Sequence, residues 1–195
     1  MGRIRGEVGG EAVGTIGDVT IAVWRGMKVV RRKRGPSTAP PSESQRQQWQ
    51  RFLFASQYAK EVGADPEKRA VYEALVGDKP TTWRALAMQD YLGMPVIAKV
   101  NVEAYRGQVG DPIDIYVQDV TCRRVHVRLL NPDQAPEGAL GVLVEEGEAE
   151  RAVPGQDFHW VYRARTAYPG PRFTLVVEAT DLPGNTTTTT VEGEL

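Results

Sequence analysis

The first run of apolar positions with a readable period is TIAVWRGMKVVRRKR, residues 20 to 34. Thr20, Ala22 and Trp24 fall on one face of a period-two pattern and Ile21 and Val23 on the other. Arg25-Gly26-Met27 interrupts them, and Lys28 to Arg31 begin a return strand, so the segment predicts a glycine-centred β-hairpin. Two strands alone are marginal in water, which means this hairpin must dock on the following helices, a second domain or another copy of the chain.

After GPSTAPPSE, whose three prolines predict a stiff linker, the period changes to that of a helix. Ser42 with Gln45 three residues later has the form of a capping box. Trp49, Phe52, Leu53, Tyr58 and Val62 recur at helical spacing as a core stripe, and Gly63 is expected to supply a left-handed stop. Asp65-Pro66-Glu67 predicts the cap and first turn of a second helix closed by Gly77. Asp78 or Thr81 is expected to cap a third, carrying Trp83, Leu86, Ala87 and Tyr91 and ending near Gly93.

From Pro95 the period returns to two. VIAKVNVEAY, DPIDIYVQDV, RRVHVRLL, GALGVLVEE, FHWVYRART, RFTLVVEATD and NTTTTTVEG make seven expected strands, broken by Gly110-Asp111, Asn131-Pro132-Asp133 and Pro183-Gly184-Asn185. That count and spacing are those of an immunoglobulin-like sandwich. The fold class is therefore α+β and multidomain. It comprises a glycine-rich arm and basic hairpin over residues 1–35, a proline-rich linker with a three-helix segment over 36–94, and a seven-stranded β-sandwich over 95–195.

Composition adds limits. With 41% hydrophobic and 25% charged residues in 195, the chain is of ordinary globular make-up. No stretch approaches the roughly 20 apolar residues that cross a bilayer. MGRIRGEVGGEAVG carries charge where a signal peptide needs its apolar core, so a start in the cytosol is expected, with a virion-like or extracellular assembly reached by a non-Sec route. The net charge of -1 hides a gradient: eight Lys/Arg face three Asp/Glu in residues 1–35, seven face seven in 36–95, and nine face fifteen in 96–195. Such sorting suits a head-to-tail contact between subunits or an anionic partner at the basic end.

Catalytic patterns are missing from the sequence. Cys122, the single cysteine, is expected on a strand as a small buried hydrophobe, and His126 and His159 lack zinc-site spacing. No nucleophile elbow or Cys-His arrangement occurs. The acidic run VEEGEAE reads as a solvated loop, and Asp111, Asp114 and Asp119 alternate along a strand instead of encircling a loop as calcium ligands do. The glycine-rich start lacks the G-K-[ST] ending of a phosphate loop. No enzyme activity, cofactor, metal or small-molecule substrate is expected.

Two resemblances add to these readings. Residues 97 to 195 resemble the disulfide-free immunoglobulin-like repeats of bacterial surface and phage structural proteins, on GDPIDI, FHWVYRA and LVVEATDLPGN. The first 62 residues resemble the start of an uncharacterised bacterial family, a domain of unknown function, on MGRI, VGTIGDVTIAVWRGMKVVR and SESQRQQWQRFLFASQYAK. The resemblances imply architecture and no catalytic residues. The candidate contact residues are Trp24, Arg25, Lys28, Arg31, Arg32, Lys33 and Arg34. Their first expected partner is a second copy of the chain, and nucleic acid gripped through its phosphates is the alternative.

Overall fold

A computed structural model of the chain describes residues 13–24, 27–33, 35, 40–78, 81–153, 155 and 158–195. The glycine-rich arm, the Arg25-Gly26 turn, Arg34 and the proline-rich stretch at 36–39 lie outside the described residues. Among the described residues the chain is mixed α+β, with three helices and eleven strands in three antiparallel sheets. It divides into two compact units, Met1–Gln45 and Arg46–Leu195, so the helices share a unit with the strands that follow Pro95.

The first unit holds β1 (Gly14–Ile16), β2 (Val19–Trp24) and β3 (Met27–Arg32) in the order β1-β2-β3. The hairpin is present, with Ile21 opposite Val30 and Val19 opposite Arg32. β1 adds a strand that the period-two pattern did not mark. It returns through Gly17, whose φ of 58° suits a residue without a Cβ.

The helices are α1 (Glu43–Ala64), which begins three residues before the second unit, α2 (Pro66–Val76) and α3 (Trp83–Leu92). The capping box forms, since the Ser42 N–H donates to Gln45 Oε1 at 2.9 Å and the Gln45 N–H to Ser42 Oγ at 3.3 Å. Asp65 caps α2 by accepting from the N–H groups of Glu67 and Lys68. Three local expectations are corrected. Gly63 lies inside α1, where the Trp83 ring sits 3.1 Å from the place a Cβ would occupy, so it serves close packing and not a left-handed stop. Thr82, not Asp78 or Thr81, caps α3 through the Ala85 N–H. Trp49, Phe52 and Leu53 do not join the core: each is more than half exposed, while Tyr58, Ala59 and Val62 of the same helix pack with Tyr72 and Ala87. Helical spacing puts residues on one stripe, but the layer beneath α1 covers only its C-terminal half.

The remaining strands are β4 (Ile97–Asn101), β5 (Pro112–Val117), β6 (Arg124–Asn131), β7 (Val142–Glu148), β8 (Glu150–Arg151), β9 (His159–Arg163), β10 (Arg172–Thr180) and β11 (Thr186–Glu194). They form two four-stranded sheets, β4-β5-β9-β8 and β11-β10-β6-β7. Ile113, Ile115 and Val117 of one sheet and Val127, Leu129, Leu175 and Val177 of the other are fully buried in a single core, a two-sheet sandwich. The acidic run is not a loop. Glu145, Glu146 and Glu148 lie on β7, and the Glu145 carboxylate turns inward to accept the Arg165 N–H at 3.0 Å. Cys122 is buried as expected but in the turn before β6, with burial pushing its thiol up to about 11. No helix among the described residues is long and apolar enough to cross a membrane.

This division between a filled interior and open edges sets the cost of truncation. Leu129→Ala is expected to lose about 2 to 5 kcal/mol, whereas Leu143→Ala, at the exposed edge on β7, stays within about 0.5 kcal/mol of wild type. Urea unfolding followed by tryptophan fluorescence checks both.

Candidate functional site

The basic strand is where the sequence places its contact residues. Arg31, Arg32 and Lys33 are exposed, and the Lys33 N–H continues the ladder to Asp18 O. Along the backbone Trp24 lies opposite Met27 and Lys28 opposite Val23. Arg25 and Arg34 lie outside the described residues. Strand alternation separates the described cations, with Arg31 and Lys33 on one face of the sheet and Arg32 on the other.

A second grouping, within the helical and sandwich unit, was not legible in the sequence. Asp90 near the end of α3, Asp119 after β5 and Asp181 after β10 bring carboxylate oxygens within 4.8 Å of one another. These positions are far apart along the chain, and only the docking of α3 against the strand ends joins them. Asp111 and Asp114, which alternation had grouped with Asp119, sit elsewhere. Asp111 accepts from the Arg106 and Gln108 N–H groups, and Asp114 pairs with His159 at 2.8 Å.

The donors around the three carboxylates explain how they coexist. The Tyr72 hydroxyl donates to Asp90 Oδ2 at 2.5 Å, so the Tyr58 hydroxyl, 2.9 Å from Tyr72, must donate to Tyr72. The Thr121 hydroxyl lies 2.8 Å from Asp90 Oδ1 and 2.9 Å from Asp119 Oδ1 but has one hydrogen for the two. That hydrogen is shared between two acceptors, Thr121 donating to both Asp90 and Asp119. Burial pushes the Asp90 carboxyl up to about 6, against the hydrogen bonds from Tyr72 and Thr121 and with smaller repulsion from Asp119 and Asp181. Burial raises Asp181 as well, although it accepts from Asn185 and Gly184, and burial ahead of its bond to Asp90 holds the Tyr72 phenol far above its usual range.

Asn185 closes this latch. Its side-chain amide donates to Asp181 Oδ2 at 2.8 Å and to the Asp90 carbonyl at 3.3 Å, fastening the β10–β11 turn to the end of α3. Beside the latch an open, largely apolar cleft of about 740 Å³ runs between α2, α3 and the strand ends, lined by Leu75, Leu86, Met94, Val120 and Phe158, with Asp90 and Thr121 at its polar end. These bonds fasten α3 to the strand ends, and the three carboxylates together are also a grouping that could hold a cation.

The raised Asp90 carboxyl gives the latch a pH dependence. Because its folded value of about 6 exceeds the ordinary value of 3.8, the folded state holds the proton more tightly, and stability from this group falls as pH rises from about 4 to about 6. In Asp90→Asn that fall is expected to disappear, so the variant gains on wild type across this window and holds its gain above it. Thermal melting of both proteins between pH 4 and 8 reads the difference directly.

No known protein family matches the sequence, and no curated protein matches it. Among solved structures the chain is similar to CopC from Methylosinus trichosporium OB3b, at 11% identity and a TM-score of 0.37, over 50% of this chain and 89% of that one. A likeness at that level carries no argument about what this chain does.

Proposed function

We propose that this chain is a non-enzymatic structural protein that associates with copies of itself through its N-terminal strands and helices and displays an immunoglobulin-like domain, as a component of a filament, surface or virion-like assembly. The observation that carries this reading is that the described residues of the first unit form no interior. Val13, Ile16, Val23, Met27 and Val30 are each more than half exposed, and the core clusters of the described residues include none of them. Three strands whose described side chains are at most half-buried, as at Thr20, Ile21 and Ala22, lack the driving force to hold a fold, so a second layer must come from elsewhere. In the other unit Trp49, Phe52, Leu53 and Phe54, exposed along the first half of α1, are a further set of apolar side chains without burial.

The immunoglobulin-like reading of the second unit is supported by strand order. β4-β5-β9-β8 corresponds to strands A-B-E-D of that fold, and β11-β10-β6-β7 to G-F-C with an added edge strand. Trp160 lies on β9 of the first sheet, and Cys122, the single cysteine, leaves the sheets without a disulfide, so packing and hydrogen bonds such as Arg165 N–H to the Glu145 carboxylate fasten the two layers.

Nucleic-acid binding stands as the second reading because Arg31, Arg32 and Lys33 are exposed together. One set of measurements separates the two. Mass photometry across concentration is expected to show oligomers for the full chain and monomers after removal of residues 1–35, with circular dichroism reporting an intact sandwich. A strict monomer at high concentration rejects self-association. Salt-sensitive binding of labelled DNA or RNA, lost on changing Arg31, Arg32 and Lys33 to alanine, would favour the alternative.

A further inference from the structure

Six strands lie at sheet edges among the described residues: β1 and β3 in the first unit, β11 and β7 in one sandwich sheet, and β4 and β8 in the other. Edges left open invite pairing, and four of these are blunted. β1 has three residues and β8 two, while irregular register breaks β4 between Ile97 and Lys99 and the β6–β7 ladder between Leu129 and Leu130. β3 and β11 remain. Both pair in unbroken register on one side, and neither contains a proline. Among the described residues, no backbone hydrogen bond is made by residues 186–194 beyond their ladder to β10.

We propose that β3 of one copy adds, in parallel, to the free edge of β11 in a second copy, joining a three-stranded and a four-stranded sheet into one of seven strands. The proposal rests on the self-association reading and names the surfaces that carry it. Charge selects the pairing. β3 and the residue after it carry Arg31, Arg32 and Lys33, whereas the end of β11 carries Glu192 and Glu194 and no cation, all of them exposed. Two β3 edges repel, as do two β11 edges, so only the unlike pair is favoured.

Register follows from the spacing. Setting Val30 beside Val191 puts Arg31 beside Glu192 and Lys33 beside Glu194, with Arg32 at Gly193, whose inward side is covered by the Phe173 ring. All of Met27–Lys33 then lies along Thr188–Glu194. An antiparallel match of the same charges would instead carry Met27 to Val30 past the end of β11. Facing is consistent as well. Thr189, Val191 and Gly193 are the half-buried, inward residues of β11. The face of the N-terminal sheet that would continue theirs carries Ile16, Val19, Ile21, Val23 and Val30, with Lys28 and Arg32 on the same face by register. Arg31 and Lys33 emerge on the solvent side with the two glutamates. Because donor and acceptor strands differ, the contact is head-to-tail and propagates as a ring or an open filament.

Charge reversal tests this in the full-length protein by sedimentation velocity at low salt. R31E/K33E and E192K/E194K are each expected to weaken association by about tenfold or more, and an equal mixture of the two to restore it as an alternating assembly. The milder R31Q/K33Q should fall between R31E/K33E and wild type. Circular dichroism of each variant should match wild type, since every altered side chain is exposed. Wild-type oligomers that survive both reversals overturn the edge pairing while leaving self-association standing. A mixture of folded variants that stays dissociated overturns the pairing of these charges. A wild-type protein that is monomeric at every concentration overturns both.

Discussion

β6 and β10 press Val127, Leu129, Leu175 and Val177 against Ile113, Ile115 and Val117 of β5, and all seven side chains are withdrawn from water. At about 25 cal/mol per Å² of apolar surface, this interior supplies the main force that keeps the two sheets together. Everything else in the second unit is placed by it. The turns at the strand ends can present Asp119 and Asp181 because the strands leading to them are fixed. The helices in turn have a firm base, and Leu182 of the β10–β11 turn packs into their small cluster around Tyr58 and Tyr72.

On that base the latch between Asp90, Thr121, Asp119, Asp181 and Asn185 gives the helical layer one docking position. Apolar contact alone would let α3 slide, whereas directed hydrogen bonds at 2.5 to 3.3 Å have few alternative registers. Crowding three carboxylates carries an electrostatic cost, and burial together with that repulsion raises Asp90 and Asp181. The latch is therefore a device of position more than of net stability, and the cleft beside it follows from helices resting on sheet ends instead of sheet faces.

The first unit reverses this logic. Its strands have regular register and β-branched side chains, yet among its described residues Val13, Ile16, Val23, Met27 and Val30 are more than half exposed. Alternation reports that a strand has a face to bury and leaves open what buries it. The same distinction explains α1, whose stripe from Trp49 to Val62 is continuous in sequence while only its second half meets a neighbour.

Local chemistry was readable where the cause was local. Ser42 with Gln45, Asp65 before Pro66, the seven period-two runs and the turn at Gly184-Asn185 all act within a few residues, and the folded chain uses them as the sequence suggests. Glu145 turned inward because of Arg165, twenty residues on, and Gly63 makes room for Trp83 from another helix. Asp90, Asp119 and Asp181 meet only because two layers dock, an arrangement with no period to betray it. The sequence by itself determined the elements, their faces and the sorting of charge from basic start to acidic end. Tertiary structure alone decided which faces found a partner, which edges stayed open and which carboxylates meet, because those depend on the burial of residues distant in the chain.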